Sequence, residues 1–206
     1  MAEKNKNAEK KVSSAKSSGV NKKDVEMMKD WLEGLAADSF SSWDRLPDIG
    51  LYMDQVLTMM ERQLAFYKRT PEDKILTQPM INNYTKDGIL PRASDKKYNQ
   101  NHLALLSILC SLKPVLSISD LQILLKGLHK DNEDEKNVYD FFLEIQEETI
   151  SEIKEKELLL TVEKEMDEKN FSEAGHELAL LALRLSVDAR IRLLAAQRIL
   201  DTLSEK

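Results

Sequence analysis

A run of amide, basic and tyrosine side chains between Gln78 and Tyr98 is the part of this sequence whose residue types match a recognisable chemistry. Gln78, Asn82 and Lys86 lie four apart and share one face wherever the segment is helical, with Asn83 beside them. An amide side chain can donate to and accept from a base edge, adenine above all, whereas lysine and arginine neutralise phosphate oxygens. Arg92, Lys96 and Lys97 follow in a polar stretch, and Tyr84 and Tyr98 carry hydroxyls able to hydrogen-bond phosphate. Taken singly, each lysine reads as a solvated surface group and each tyrosine as a core residue. Their clustering is what points to double-stranded DNA.

Other chemistries find less support. His102, His129 and His176 have no recurrent spacing with cysteine or carboxylates. Glu173 and His176 show the i, i+3 spacing of di-iron bundles, but a second such pair and the partner glutamates are missing, so capping and surface roles are the better reading. There is no glycine-rich phosphate loop and no nucleophile motif. Cys110 is the single cysteine and sits in an apolar run, which suits a buried thiol in a reducing compartment. The expectation is a protein without enzymatic activity, cofactor or metal.

Charge is segregated along the chain even though the net value is only −6. Residues 1–23 hold seven lysines against two glutamates. Residues 62–97 hold eight Lys and Arg against four acids, and residues 130–169 hold six lysines against fifteen acids. A basic middle and an acidic later part imply two tasks. The start is polar and lacks the apolar core of a secretory signal, and the most apolar later stretch is interrupted by Arg184, Asp188, Arg190 and Arg192. A cytoplasmic protein without a membrane span is expected.

The elements that would position these groups are nearly all helical. Six Gly and five Pro in 206 residues leave long stretches of Leu, Glu, Lys, Ala and Asp. Apolar spacing predicts helices over 23–37 and 50–67, with Thr70 and Pro71 placed as N-cap and first helical residue of a new start. Thr77 as N-cap and Gly88 as stop bound a short helix from about Gln78 to Asp87. The stretch 91–98 suits a tight hairpin or wing, "NQNHLALLSILCSL" a further helix, and Ser117 with Asp120 a capping box. Two long helices over 133–169 and 172–204 complete the chain, and the second is apolar over most of its circumference.

The order of short helix, glycine stop, wing and amphipathic helix resembles the winged helix-turn-helix domain of the MerR regulator family. The likeness rests on Tyr84, Gly88, Ile89, Leu90 and Pro91, on Tyr98 followed by Leu103 and Leu106, and on "LSISDLQILL" from Leu116 to Leu125. It covers about fifty residues, and Asn82 stands where that family has an arginine. The whole chain is also similar to an uncharacterised bacterial family, catalogued as a domain of unknown function, that carries the same block. These resemblances imply an all-α, MerR-like regulator with three parts: a basic tail over 1–22, a DNA-binding domain over 23–129 and a C-terminal helical hairpin over 130–206. The implied partner is double-stranded DNA, and the apolar excess of the last helix points to a second copy of the chain or to docking against the N-terminal helices. The rival reading is a helical protein-interaction adaptor that retains the scaffold without binding DNA, supported by the overall acidity and by Asn82.

Overall fold

A computed structural model describes residues 22–34, 40–128, 134–153 and 171–204. The expected basic tail, the boundary at 129/130 and the 154–169 part of the expected long acidic helix lie outside these residues. Seven α-helices are described: α1 Lys22–Gly34, α2 Met53–Gln63, α3 Gln78–Lys86, α4 Gln100–Leu112, α5 Ile118–Leu128, α6 Glu135–Ile153 and α7 Phe171–Ser204. Single 3-10 turns lie at Trp43–Arg45 and Ala65–Tyr67.

The fold is organised around α4. His102 through Cys110 are all buried, so this helix has no solvent face over that span. Burying polar atoms in such a helix requires partners, and the Ser107 hydroxyl donates to the Leu103 carbonyl at 2.9 Å. Around α4 pack Val56 and Met60 of α2, Ile81 and Tyr84 of α3, Leu121 and Leu125 of α5, and Val138 and Tyr139 of α6. The Tyr139 hydroxyl ties α6 to the segment before the first 3-10 turn by donating to the Ser41 carbonyl at 2.9 Å. At its far end α7 joins the same core through Leu193 and Leu200 and packs along α5. A smaller apolar contact links Leu181 of α7 to Met28 of α1 and Ile153 of α6.

The nearly all-helical architecture agrees with the sequence, and among the described residues no helix is long and apolar enough to cross a membrane. Two local expectations are corrected. No helix begins at Pro71: Asp73 instead accepts from the Arg69 and Thr70 amides at 2.9 and 3.0 Å, closing a turn. No strand occurs among the described residues, so the wing hairpin over 91–98 contracts to a turn with one antiparallel bridge, Ser94 to Lys97. Beyond that pair the Tyr98 amide and carbonyl point to the opposite edge, where both pair with Leu51 at 2.8 Å.

Candidate nucleic-acid surface

The helix α3 begins after Thr77, whose backbone is extended (φ −134°, ψ 158°), and carries Pro79 in its first turn, where a missing amide hydrogen costs nothing. Thr77 holds the N-cap position without a side-chain cap bond. The far end is closed more firmly. Gly88 takes φ +73°, the Ile89 amide donates to the Tyr84 carbonyl at 3.0 Å, and the Gly88 amide donates to the Thr85 carbonyl at 3.2 Å. This is the Schellman arrangement, and a residue with a Cβ would be strained at position 88.

Two faces result. Ile81 is fully buried, Tyr84 is 2% exposed, and Met80 packs at the core edge, while Gln78, Asn82, Asn83 and Lys86 are exposed. The four-residue spacing of 78, 82 and 86 thus lies on the solvent side. From the other direction α5 steadies the end of α3: the Gln122 amide donates to the Asp87 carbonyl at 2.7 Å. The capping box that starts α5 is as the sequence requires, with Ser117 Oγ accepting from the Asp120 amide at 3.1 Å and the Asp120 carboxylate accepting from the Ser117 amide at 3.3 Å.

The turn after α3 is held from three sides. Asp95 and Lys96 both occupy the left-handed region, at φ +50° and +61°, and the Lys97 amide closes the turn on the Ser94 carbonyl at 2.8 Å. Positive φ at both central residues is the type I′ pattern, which ordinarily selects Asn-Gly or Asp-Gly. Here the second position is a lysine. Lys97 packs so closely on Gly50 that a Cβ there would come within 2.9 Å of the Lys97 Cβ, and its ammonium lies 5.5 Å from the centre of the Tyr52 ring. Below the turn, the His102 ring meets Tyr98 edge-on at 5.4 Å. Its Nδ1 accepts from the Asn99 amide at 3.2 Å, capping α4. Burial lowers the His102 pKa below the usual imidazole value. The backbone of Arg92 and Pro91 lies near enough to oppose that shift, although Nε2 meets no partner at good hydrogen-bond geometry.

Seven of the nine residues expected to contact DNA are exposed: Gln78, Asn82, Asn83, Lys86, Arg92, Lys96 and Lys97. Among the described residues none of these four cations is paired with a carboxylate. The two tyrosines stand differently. Tyr84 and Tyr98 are 2% and 7% exposed, and the Tyr84 hydroxyl is itself buried, so it does not reach a ligand on the surface. Burial pushes the Tyr84 pKa up to about 12, and its hydroxyl has no hydrogen-bond partner among the described residues. Gly50, Tyr52 and Gln122, which hold α3 and the turn in place, were not singled out by residue type, and His102 was weighed only as a ligand or catalyst.

The remaining candidate chemistries stay empty of support. Cys110 is buried and its thiol is pushed up to about 12 by burial, leaving it protonated at neutral pH. His176 is exposed on α7, whereas the Glu173 side chain lies outside the described set. Among the described residues no group of three or more metal-ligating side chains converges.

A family signature described as a domain of unknown function (DUF1836) matches residues 41–144, a span that contains α2 to α5, the turn and the start of α6. No curated protein and no solved structure matches the chain.

Proposed function

The chain belongs to the DUF1836 family, and from that premise and the surface of α3 we propose that it is a cytoplasmic, non-enzymatic regulator that binds double-stranded DNA in the MerR-like manner. The observation that carries this reading is the division of α3: one face is locked into the core by Ile81 and Tyr84, and the other presents Gln78, Asn82, Asn83 and Lys86 to solvent. A helix so anchored can enter a major groove without rearranging, its amides facing base edges. Arg92 and Lys96 flank it as phosphate contacts, and Lys97 adds charge while bracing the turn on Tyr52. The turn itself supports the reading. Lys96 keeps a left-handed backbone that glycine would hold without strain, and backbone strain of this kind concentrates at functional positions.

The reading of a second copy rests on the last helix. Along α7, Leu180, Leu183, Val187, Ile191 and Leu194 are all more than 40% exposed, at spacings of three and four residues that form one apolar stripe. A homodimer paired along this stripe would cover it and would set two α3 helices against successive half-sites. The adaptor reading draws on the same stripe, with a different protein as its cover.

A fluorescence-anisotropy titration of the intact protein on a labelled duplex, at low salt, separates the two. Saturable binding that Asn82→Ala weakens on a preferred sequence, by about 1 to 3 kcal/mol for a lost bidentate base contact, supports the regulator. Indifference to duplex DNA leaves the adaptor.

A further inference from the structure

A second concavity, away from α3, is built unlike the DNA-facing surface. It is a groove of about 900 Å³ between α4, α5 and α6, roofed by the 3-10 turn at Ala65–Tyr67 and by Trp31 of α1. Its volume is in the range of drug-sized ligand sites, and its walls are chiefly aliphatic and aromatic. Polar groups are few and sit together. Lys68 and Arg69 lie at one edge, and among the described residues no carboxylate lines the groove. The Lys68 side chain is only 15% exposed and is paired outward with Glu61, whose own side chain is 51% exposed, while Arg69 is exposed. Inside, the Gln146 amide reaches the Tyr67 hydroxyl at 3.5 Å, and its carbonyl oxygen is buried with no partner. Flipping the amide leaves the nitrogen unmatched instead, so one polar atom of Gln146 awaits a ligand in either orientation.

We propose that this groove binds a hydrophobic carboxylic acid, with its apolar body among Ile108, Leu112, Leu124 and Phe142 and its carboxylate against Arg69 and Lys68. Charge selects the head group. Arg69, with Lys68 beside it on its Glu61 partner, favours an anion, and a carboxylate accepts from these cations and, with the Gln146 amide flipped, from Gln146 Nε2. The apolar walls exclude a small hydrophilic anion, which would leave most of the groove unfilled. Trp31, 53% exposed and on the groove wall, is a reporter built into the site.

The test contains no DNA, so its outcome is independent of the DNA-binding reading. Dodecanoate is titrated into the full-length protein, read by tryptophan fluorescence and by calorimetry, with dodecanol as the uncharged match. Saturable binding of one dodecanoate per chain is expected. Dodecanol, and dodecanoate with Arg69→Gln, should each bind on the order of tenfold more weakly, the effect of losing a charge-assisted hydrogen bond. Ile145→Glu, at a lining position 47% exposed where folding tolerates charge, should weaken dodecanoate binding by putting a like charge in the groove. Absence of saturable binding, or binding that Ile145→Glu leaves unchanged, overturns the site. Equal affinity for dodecanol and dodecanoate, or indifference to Arg69→Gln, overturns the assignment of an acid.

Discussion

The helices α3 and α7 are both amphipathic in the ordinary sense, but they expose opposite faces. In α3 the apolar residues are inside and the polar ones out, and Lys86 at its end has no carboxylate partner among the described residues. In α7 large apolar side chains such as Leu183, Val187 and Ile191 are 55–60% exposed, and two of its arginines lie beside acids of the same helix, Arg192 with Asp188 at 2.8 Å and Arg198 with Asp201 at 3.9 Å. Those acids offset the local positive charge, whereas an exposed apolar stripe has a strong reason to be covered. One helix is thus suited to nucleic acid and the other to protein.

The largest test of this contrast is truncation of an apolar side chain on each helix. Ile81→Ala empties a fully buried site and is expected to cost about 3 kcal/mol in chemical denaturation. Ile191→Ser, at a position 60% exposed, should change the stability of a monomer by less than about 0.5 kcal/mol. It should nevertheless reduce self-association in sedimentation. Comparable losses of stability at the two sites would mean that α7 is not the exposed helix described here.

Next comes the support beneath the turn. His102 is buried and its pKa lies below the usual imidazole value, so the unfolded chain takes up a proton first as pH falls. The stability contributed by neutral His102 is fully present above the ordinary imidazole pKa and is lost as pH drops through the lowered, folded value. Protonation exchanges the Nδ1 acceptor used by the Asn99 amide for a donor beside the Asn99 Oδ1, so burial of the charge is what drives the loss. Denaturation curves collected stepwise across this window should show the decline, and His102→Asn should flatten it. An unaltered slope in that variant would assign the pH dependence to other groups.

A smaller effect of opposite sign is expected at the tip. Lys96→Gly relieves a left-handed backbone and should stabilise the protein by about 1 kcal/mol while weakening DNA binding. Gain of stability with unchanged binding would remove Lys96 from the surface. Smallest of all is Tyr84→Phe, which deletes a buried hydroxyl that has no partner and should leave stability unchanged or slightly raised, with DNA affinity unaltered. A drop in affinity would return that tyrosine to the contact set.

Features governed by neighbours three or four residues apart were legible in the sequence. Gly88 as the stop of α3 and Ser117 with Asp120 at the start of α5 follow from local backbone chemistry, and the outward set 78, 82 and 86 from helical periodicity. What depended on distant partners was not. The pairing of Tyr98 with Leu51, far back in the chain, has no local sequence signal. At Thr70 and Pro71 the local capping arrangement does form, with the Asp73 carboxylate accepting from the Thr70 amide, but the chain leaves it after a single turn and no helix follows. For Tyr84 and Tyr98, residue type allowed either a core or a surface role, and only packing against α4 decided between them. The apolar excess of the last helix was visible as composition. That most of it faces solvent was visible only in the fold.

The central claim is that α3 and the adjoining turn meet phosphate while α7 does not, and salt dependence tests it most directly. Affinity of the intact protein for a duplex is measured across a series of salt concentrations for the wild type, Lys96→Gln and Arg192→Gln. The account predicts a linear fall of log affinity with log salt, a slope reduced by about one in Lys96→Gln for one lost phosphate contact, and a wild-type slope in Arg192→Gln. No duplex binding at low salt, or a slope that changes with Arg192 and not with Lys96, would contradict it.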